Sequence, residues 1–380
     1  MPEIIFRPLT DADALYPLTV LENPENLLWG AAPMRDVWRE NLANEVPQDQ
    51  IQGLEIQLSP RLVPSFHVLK NAWGAGRNVD WQRNGETLLQ LTDGMQPAAI
   101  HEAPDSWEVL DHPTDWFAKA GQAIDMSRGY ASRKWQAVSG VDCPNHVTII
   151  GPIDDLLISP GVTLTGCTLN TTTGPIYLGP GSEVQEGAHI RGPFILGEHS
   201  TIKMGAKIYG PTIVGPHCKV GGEVSNSVFL GFSNKGHDGF VGNSVIGRWC
   251  NLGADTNTSN LKNTYGEVKV YDRAQGGLVD SGLQFCGLIM GDHSKCGINT
   301  MFNTGTVVGI GCNIYDSGFP PKHVPNFSWG SARGGWVPHD LEKMLDTARA
   351  VLARRGIALD DTMELRIRAA HLAAFPTDGR

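Results

Sequence analysis

The sequence lacks several features that would assign it to a class at once. Charged residues make up only 18% of the 380 positions, and the excess of acidic over basic residues gives a formal net charge of −10. A general nucleic-acid-binding protein needs a basic surface, so this class is excluded. No apolar run reaches the 18 residues that suggest a membrane-spanning helix. A local basic pocket for phosphate is compatible with this composition.

Cysteine is scarce and follows no recognisable pattern. The seven cysteines form no C-x-x-C pair, and their number is odd. Residues 1–6 lack the basic start and long apolar stretch of a signal peptide. A cytoplasmic protein with reduced thiols is therefore expected. Glycine is abundant, with 45 residues, but no Gly-X-Y period is present and collagen is excluded.

A six-residue period dominates the middle of the chain. Eight successive aliphatic residues occur at a spacing of six: Leu178, Val184, Ile190, Leu196, Ile202, Ile208, Val214 and Val220. The phase then slips by two residues and resumes at Phe240, Ile246 and Leu252. It returns a third time at Met290, Cys296, Phe302, Val308 and Ile314.

This hexapeptide repeat predicts a solenoid whose coil has three flat sides. Each side is a short strand with one side chain directed to the axis, and small residues turn the corners. Such coils stack at the strand spacing of about 4.8 Å. We therefore predict a mainly β protein with a parallel β-helix at 146–335. The segments 225–239 and 256–281 break the period and are expected to leave the coil.

The flanking segments lack the period. Residues 1–145 contain seven of the ten tryptophans and are predicted to form a mixed α/β domain. Strands are expected at 3–6 and 86–91, and helices at 34–42 and 115–124.

Two helices are predicted in residues 336–380. Pro338 opens the first segment, which ends at Gly356, and its apolar face repeats at helical spacing. That face contains Leu341, Leu345, Ala348 and Leu352. A cap at 360–362 begins the second helix, which is expected to run to Ala374. We expect both helices to cap the open end of the solenoid and bury its last coil.

Specific motifs now point to a family. Residues 236–261 contain a Gly-His, a Gly-Asn a few residues on, an Asn-Leu-Gly-Ala-Asp-Thr turn and a later Asn-Leu. This pattern resembles the acetyltransferase half of bifunctional UDP-N-acetylglucosamine diphosphorylase/glucosamine-1-phosphate N-acetyltransferases. A variant bacterial and archaeal branch of sugar nucleotidyltransferase-like proteins is more similar still. It shares motifs at 169–177, 203–210, 233–239 and 282–294.

The resemblance implies a left-handed β-helix with acetyltransferase activity behind a nucleotidyltransferase-like α/β domain. It places His237 at the catalytic histidine and Ala254 and Ile298 at contacts to coenzyme A. Substrate positions fall on Glu223, Phe240, Asn251 and Asn260, with Glu223 as a partner for a sugar amine. The implied co-substrate is acetyl-CoA, and the implied acceptor is a phosphorylated or nucleotide-linked amino sugar. A homotrimer with its site between subunits is expected, without nucleic-acid or membrane partners.

Acetyl transfer to an amine needs a base, donors for the developing oxyanion and a groove for the pantetheine arm. A histidine with a pKa near 6.5 suits the first task, and Gly236 and Gly239 allow a ligand to approach the backbone around His237. Asp238 either orients the imidazole or is solvated.

Two features of the sequence allow alternative interpretations. The residue one coil below His237 is either His217 or Lys219, depending on where the phase slips. The basic residues Lys203, Lys207, Lys219 and Arg191 form either a phosphate-binding strip, with Lys219 a substrate contact, or a solvated face.

The first domain departs from the family. Its sequence has no Gly-x-Gly-Thr-Arg loop to hold nucleotide phosphates. The Pro-Leu-Thr of the variant branch is present at 17–19, but Glu22 and Leu28 occupy the places of its two arginines. Nucleotide binding should be weak, and Mg²⁺ is expected only if this domain is an active nucleotidyltransferase.

A γ-type carbonic anhydrase shares the solenoid but needs three zinc-bound histidines, two of them five residues apart. No two histidines between 189 and 293 have this spacing, so no metal site is predicted. A sugar-1-phosphate nucleotidyltransferase that its β-helix merely oligomerises stays open, as does an inert trimeric scaffold.

Overall fold

The computed structural model describes residues 3–9, 13–45, 53–95, 97, 99–140 and 143–375. Its centre is a left-handed parallel β-helix with three flat faces, the fold class predicted from the repeat and the resemblance. The buried face has nine strands: Leu156–Ile158, Ile176–Leu178, Phe194–Leu196, Thr212–Val214, Val228–Phe229, Val245–Ile246, Leu288–Met290, Thr306–Val308 and His323–Val324.

Two further faces complete the prism. The cleft face has ten strands: Thr163–Leu164, Glu183–Val184, Thr201–Ile202, Lys219–Val220, Asn234–Lys235, Asn251–Leu252, Lys295–Cys296, Asn313–Ile314, Ser328–Ser331 and Gly335–Pro338. The open face has six: Thr148–Ile150, Thr168–Asn170, His189–Arg191, Lys207–Tyr209, Glu223–Ser225 and Phe240–Gly242. Asn257–Thr258 pairs with Met301–Phe302 in a separate two-stranded sheet.

The predicted axial residues form the core of the solenoid. All eight residues of the first run are at most 1% exposed, and the five of the third run at most 4%. Phe240 is an exception, because Val241 pairs with the axial Val224 and is fully buried, while Phe240 lies beside Glu223 on the open face. The prediction that Phe240 points to the axis was therefore wrong.

The phase slip comes from two shortened coils. Val214 pairs with Phe229, fifteen residues later, and Phe229 with Ile246, seventeen later, where full coils take eighteen. Residues 225–239 thus stay within the coil, and the expectation that they leave it was wrong. The segment 256–281 does leave the coil after Asn257–Thr258 and forms the hairpin Lys269–Asp272/Gly277–Asp280.

The N-terminal part is a mixed α/β unit, as predicted. Five strands form one sheet in the spatial order Glu3–Phe6, Glu55–Leu58, Glu86–Thr92, Val79–Arg83 and Ala99–Glu102. Leu28–Trp29 and Ala32–Pro33 form a small hairpin. The helices are Met34–Glu45, Phe66–Gly74, Asp115–Ala118, Ala120–Met126 and Arg128–Arg133, with 3-10 turns at Pro24–Asn26 and Ile153–Asp155.

This unit covers the buried face. Three outward side chains of that face, Tyr177, Ile195 and Ile213, are at most 2% exposed and share one apolar cluster with Trp116 and Phe117. One of the three flat faces of the prism is therefore sealed by the chain itself.

The two C-terminal helices, Leu341–Ala353 and Asp361–Ala374, are capped by Asp340 and Asp360, whose side chains accept from the backbone N–H groups of Lys343 and Met363. They do not cap the solenoid, contrary to expectation, because their apolar side chains pack on corner residues Ile310 and Phe327 and on Leu21. The axial core instead receives Trp336 of the last hairpin. Among the described helices, none is both long and apolar enough to cross a bilayer.

Candidate active site

A cleft of about 800 Å³ lies between the cleft face and the first C-terminal helix. Five of the eight predicted site residues line it: Lys219, His237, Asn251, Ala254 and Ile298. Its volume is in the range of small-molecule sites. The solenoid supplies one wall as stacked strands, and the other wall is helical.

The register of the strands explains how these side chains come together. Lys219 pairs with Asn234, Asn234 with Asn251, and Asn251 with Lys295, so four polar side chains form one column along the cleft face. Stacked coils place the same position of successive repeats about 4.8 Å apart. A ligand lying along this column would meet a residue of each coil in turn.

The electrostatic character of the cleft is uniform. Its lining includes five cations, Lys203, Lys219, Lys295, Arg354 and Arg355, and no aspartate or glutamate. Burial lowers the pKa of Lys295, whose Nζ donates to the carbonyl of His293 at 3.1 Å. In a chain with a net charge of −10, such a concentration of positive charge favours a phosphate-bearing ligand.

His237 stands on a two-residue bulge where the cleft face meets the open face. Val220 pairs with Lys235 and Glu223 with Phe240, so two residues of the lower coil face four of the upper one. The side chains of His237 and Asp238 are exposed. Gly221 and Gly222 lie below the bulge. The prediction that His217 or Lys219 lies one coil below His237 was therefore wrong.

Asp238 acts through its backbone rather than as a partner of the imidazole. Its carbonyl accepts from the Asp255 N–H at 3.1 Å and from Lys235 Nζ at 2.8 Å. Within the described part of the chain, no hydrogen bond joins its carboxylate to His237. The structure therefore favours the solvated interpretation of the Asp238 side chain.

The three other predicted site residues lie around the corner, on or beside the open face. A Cβ added to Gly242 would lie 2.5 Å from Phe240 Cζ and 2.7 Å from Asn260 Nδ2, so both groups fold over this glycine. Asn260 Nδ2 donates to Asn243 Oδ1 at 2.7 Å. Glu223 pairs alongside Phe240 and approaches Lys207 at 3.9 Å. Within one chain, these residues are not part of the cleft.

The basic strip predicted from sequence is divided between the two faces. Lys203 and Lys219 line the cleft, whereas Lys207 and Arg191 project from the open face. Sequence reasoning missed Lys295, Arg354 and Arg355. Lys295 could have been found, because it immediately precedes the axial Cys296 of the third run. The two arginines come from tertiary packing of a helix and carry no local signal.

A ladder of stacked rings forms the far edge of the cleft, at the corner with the buried face. It comprises His199, His217, Phe232, Trp249 and His293, with successive centroids 4.2–6.2 Å apart. All five residues have a backbone φ between +54° and +62°, a left-handed conformation that residues other than glycine rarely adopt. Burial lowers the pKa of His293 to about 3. Phe232 and Trp249 thus present flat apolar surface to the cleft.

Glu22, which replaces an expected phosphate-facing arginine, has a defined structural role. It accepts from Arg248 at 3.4 Å, from Arg366 at 3.1 Å and from Asn26 at 2.8 Å. Arg248 also pairs with Asp292 at 3.1 Å. The carboxylate therefore joins the N-terminal unit to the solenoid and to the second C-terminal helix. Across the described ranges, no group of three histidine, cysteine or acidic side chains could hold a metal ion.

The fold and cleft class the molecule as a hexapeptide-repeat β-helix protein. Among curated proteins, it is 38% identical over 92 residues to the bifunctional protein GlmU of Methanocaldococcus jannaschii, covering 24% of this chain and 22% of that protein. It is 37% identical over 93 residues to a bifunctional sugar-1-phosphate nucleotidylyltransferase/acetyltransferase of Sulfurisphaera tokodaii, covering 24% and 23%. The chain thus matches about a quarter of the length of these relatives, and over that segment the predicted resemblance is confirmed.

Comparison with solved structures gives weaker likenesses. The polySia-specific acetyltransferase NeuO matches with a TM-score of 0.29 and 12% identity over 51% of this chain and 87% of its own. An Arabidopsis UDP-N-acetylglucosamine acyltransferase matches with a TM-score of 0.23 and 18% identity over 62% and 84%. TM-scores this low support no inference about activity. No protein-family model matches the chain.

Proposed function

We propose that the chain is an acetyl-CoA-dependent N-acetyltransferase acting on a phosphorylated or nucleotide-linked amino sugar. The observation that carries this proposal is the cleft, where one exposed imidazole, His237, adjoins five cations and no carboxylate. Coenzyme A and the proposed acceptors all carry phosphate groups. The matched relatives include a sugar-1-phosphate nucleotidylyltransferase/acetyltransferase, which is consistent with this chemistry.

In the proposed reaction, the acceptor amine attacks the thioester carbonyl while His237 takes the proton from the amine. A carbon–nitrogen bond forms, the carbon–sulfur bond breaks, and the proton passes to the departing thiolate. The Ala254 N–H makes no hydrogen bond to a described residue, so it is placed as a donor for the thioester side. Asn251 contacts the sugar within the cleft, and Lys203 and Lys219 contact phosphate.

The open-face residues enter this proposal through a homotrimer. The N-terminal unit covers the buried face and the first C-terminal helix overlies the cleft, whereas Ile150 and Tyr209 on the open face are 42% and 41% exposed. Packing of this face against a neighbouring copy would bring Glu223, Phe240 and Asn260 to a site shared between subunits. Sedimentation at micromolar concentration should give the mass of a trimer. Tyr209→Asp, which places a charge in the proposed contact between subunits, should lower the mass of the assembly. A monomeric wild-type chain would contradict this assembly.

The activity is tested by thiol release from acetyl-CoA against a panel of amino-sugar phosphates and nucleotide amino sugars. With the best acceptor, His237→Ala should lower kcat by about 10²–10⁴-fold, the usual contribution of a general base. The KM for acetyl-CoA should change by no more than a few fold. His146→Ala, which removes an exposed histidine distant in sequence from the cleft, is the matched control. Wild-type turnover by the His237 variant would exclude this residue as the base.

Two alternative functions, a nucleotidyltransferase and an inert scaffold, can be tested with the same purified protein. An active N-terminal nucleotidyltransferase would incorporate labelled nucleotide from UTP, CTP or dTTP into a sugar nucleotide. The ion pairs of Glu22 argue against this activity, since they engage a carboxylate at the position where the resemblance expects a phosphate-facing arginine. Failure to bind any acyl-CoA or phosphosugar would instead favour an inert scaffold.

A further inference from the structure

A lysine occupies the axis of the solenoid beneath the His237 bulge. Lys235 pairs with the axial Val220 and is only 1% exposed. The other inward positions of the cleft face hold apolar residues, cysteine or glycine: Leu164, Val184, Ile202, Val220, Leu252, Cys296, Ile314 and Gly330. Among these described coils, Lys235 is thus the one inward cation.

The ammonium group of Lys235 is directed to the bulge. Its Nζ donates to the carbonyl of His237 at 2.5 Å and to that of Asp238 at 2.8 Å. Gly222 leaves the necessary space, because a Cβ there would lie 2.9 Å from this Nζ and 2.6 Å from the carbonyl oxygen of Gly239. The lysine therefore holds His237 and Asp238, within the two-residue bulge of the upper coil, from the inside of the solenoid.

This arrangement is a poor way to stabilise a β-helix. Burial of an ammonium group is unfavourable, and a hydrophobic side chain of similar volume usually serves an axis better. Burial lowers the pKa of Lys235 to about 8 and outweighs the opposing effect of the negative charges of Asp238 and Asp255. We therefore expect Lys235 to fix the position of the bulge and not to stabilise the coil.

We infer that Lys235 is a positioning residue for the proposed reaction, holding the backbone of His237 so that the imidazole stands at the mouth of the cleft. This inference rests on the proposed function, because it assigns the bulge a place in acetyl transfer. The bonded groups are backbone carbonyls, so the lysine acts on where His237 lies and not on its ring.

Lys235→Met tests the inference, with the axial substitution Ile202→Met, which lies outside the cleft lining, as control. Amide hydrogen exchange, read by mass spectrometry, should accelerate at 236–239 by about tenfold, since the loss of two hydrogen bonds loosens the bulge. The melting temperature should stay equal or rise. The kcat should fall about 10- to 100-fold, as expected for a misplaced base, with the KM for acetyl-CoA nearly unchanged. The control should show wild-type exchange and kcat.

The outcomes separate this inference from the proposed function. Unchanged exchange at 236–239 would overturn the inference whatever the activity. Wild-type turnover by Lys235→Met, when His237→Ala is slow, would overturn it as well. Wild-type turnover by both variants would instead remove His237 from the mechanism. Should the Met variant fold poorly, Lys235→Gln keeps a neutral donor and should give a smaller change in the same direction.

Discussion

Arg248 of the solenoid and Glu22 of the N-terminal unit form an ion pair at 3.4 Å, with 20% and 15% of their side chains exposed. The pair connects the two units through residues that are 226 positions apart in sequence. Arg366 approaches the other oxygen of Glu22 at 3.1 Å. The carboxylate at this family position thus serves as an internal link between three parts of the chain.

Glu22→Gln should destabilise the protein by about 1–3 kcal/mol, because two arginines lose a charged acceptor in a poorly solvated place. Burial raises the pKa of Glu22, but the Asn26 hydrogen bond and Arg248 outweigh it, so the pKa is lowered overall. The contribution is therefore present above the ordinary glutamate pKa and is lost as pH falls through the lower, folded value. Urea unfolding at several pH values measures it, with Glu25→Gln as control.

Replacement of an axial residue by aspartate should abolish the fold. Ile202 and Val214 are fully buried, so Ile202→Asp or Val214→Asp places an unpaired charge in the apolar axis and should cost more than about 4 kcal/mol. Thr201→Asp changes the neighbouring outward position and should cost about 1 kcal/mol or less. Thermal unfolding distinguishes them. A soluble Ile202→Asp protein with the wild-type melting curve would show that the register is wrong.

Charge reversal in the cleft should weaken the binding of coenzyme A. Lys203→Glu and Lys219→Glu each place a carboxylate among the remaining cations, and each should raise the Kd by about tenfold at low ionic strength. Lys70→Glu, at an exposed position of the N-terminal unit, should leave the Kd unchanged and provides the control. Isothermal titration calorimetry at two salt concentrations measures both effects. Equal Kd values for all three variants would exclude this cleft as the phosphate site.

The buried ammonium of Lys235 should make stability depend on pH in the alkaline range. Its pKa is about 8 in the folded protein and ordinarily about 10.4 when unfolded, so between these values only the unfolded chain holds the proton. Stability of the wild type relative to Lys235→Met should therefore rise from pH 8 to about 10.4. Asp238, Asp255 and Cys296, whose charges oppose the effect of burial on this pKa, are present in both proteins, so their own titration largely cancels. A flat difference would contradict the lowered pKa.

The sequence predicted the axis well because every coil repeats the same demand for an inward apolar side chain. It failed at Phe240, where Phe240 and Val241 are both apolar and period counting selects the wrong one. The corners between strands vary in length, since a single residue of positive φ such as Asn243 can turn the chain early. Counting back six residues from Ile246 therefore selects Phe240, although the axial residue before this shortened corner is Val241.

The candidate site, like the axis, was predictable where it depends on the repeat and not where it depends on tertiary packing. His237, Asn251 and Ala254 follow from motif positions along adjacent coils, which the solenoid brings together by stacking. Arg354 and Arg355 could not be predicted, because their place depends on how a helix some hundred residues later packs on the side of the coils. The division between cleft and open face depends in the same way on where each strand turns its corner.

The first C-terminal helix also bears on how the solenoid melts. Met344 packs near Gly311 in the late coils, whereas Arg355 Nη2 reaches the carbonyl of His217 at 3.5 Å and Asn234 Oδ1 at 3.4 Å, several coils earlier. Repeat arrays with nearest-neighbour contacts alone can unfold from their ends, one unit at a time. A helix that spans several coils couples their unfolding. The coils from His217 to Phe327 should therefore lose their structure in a single cooperative transition, without stepwise fraying.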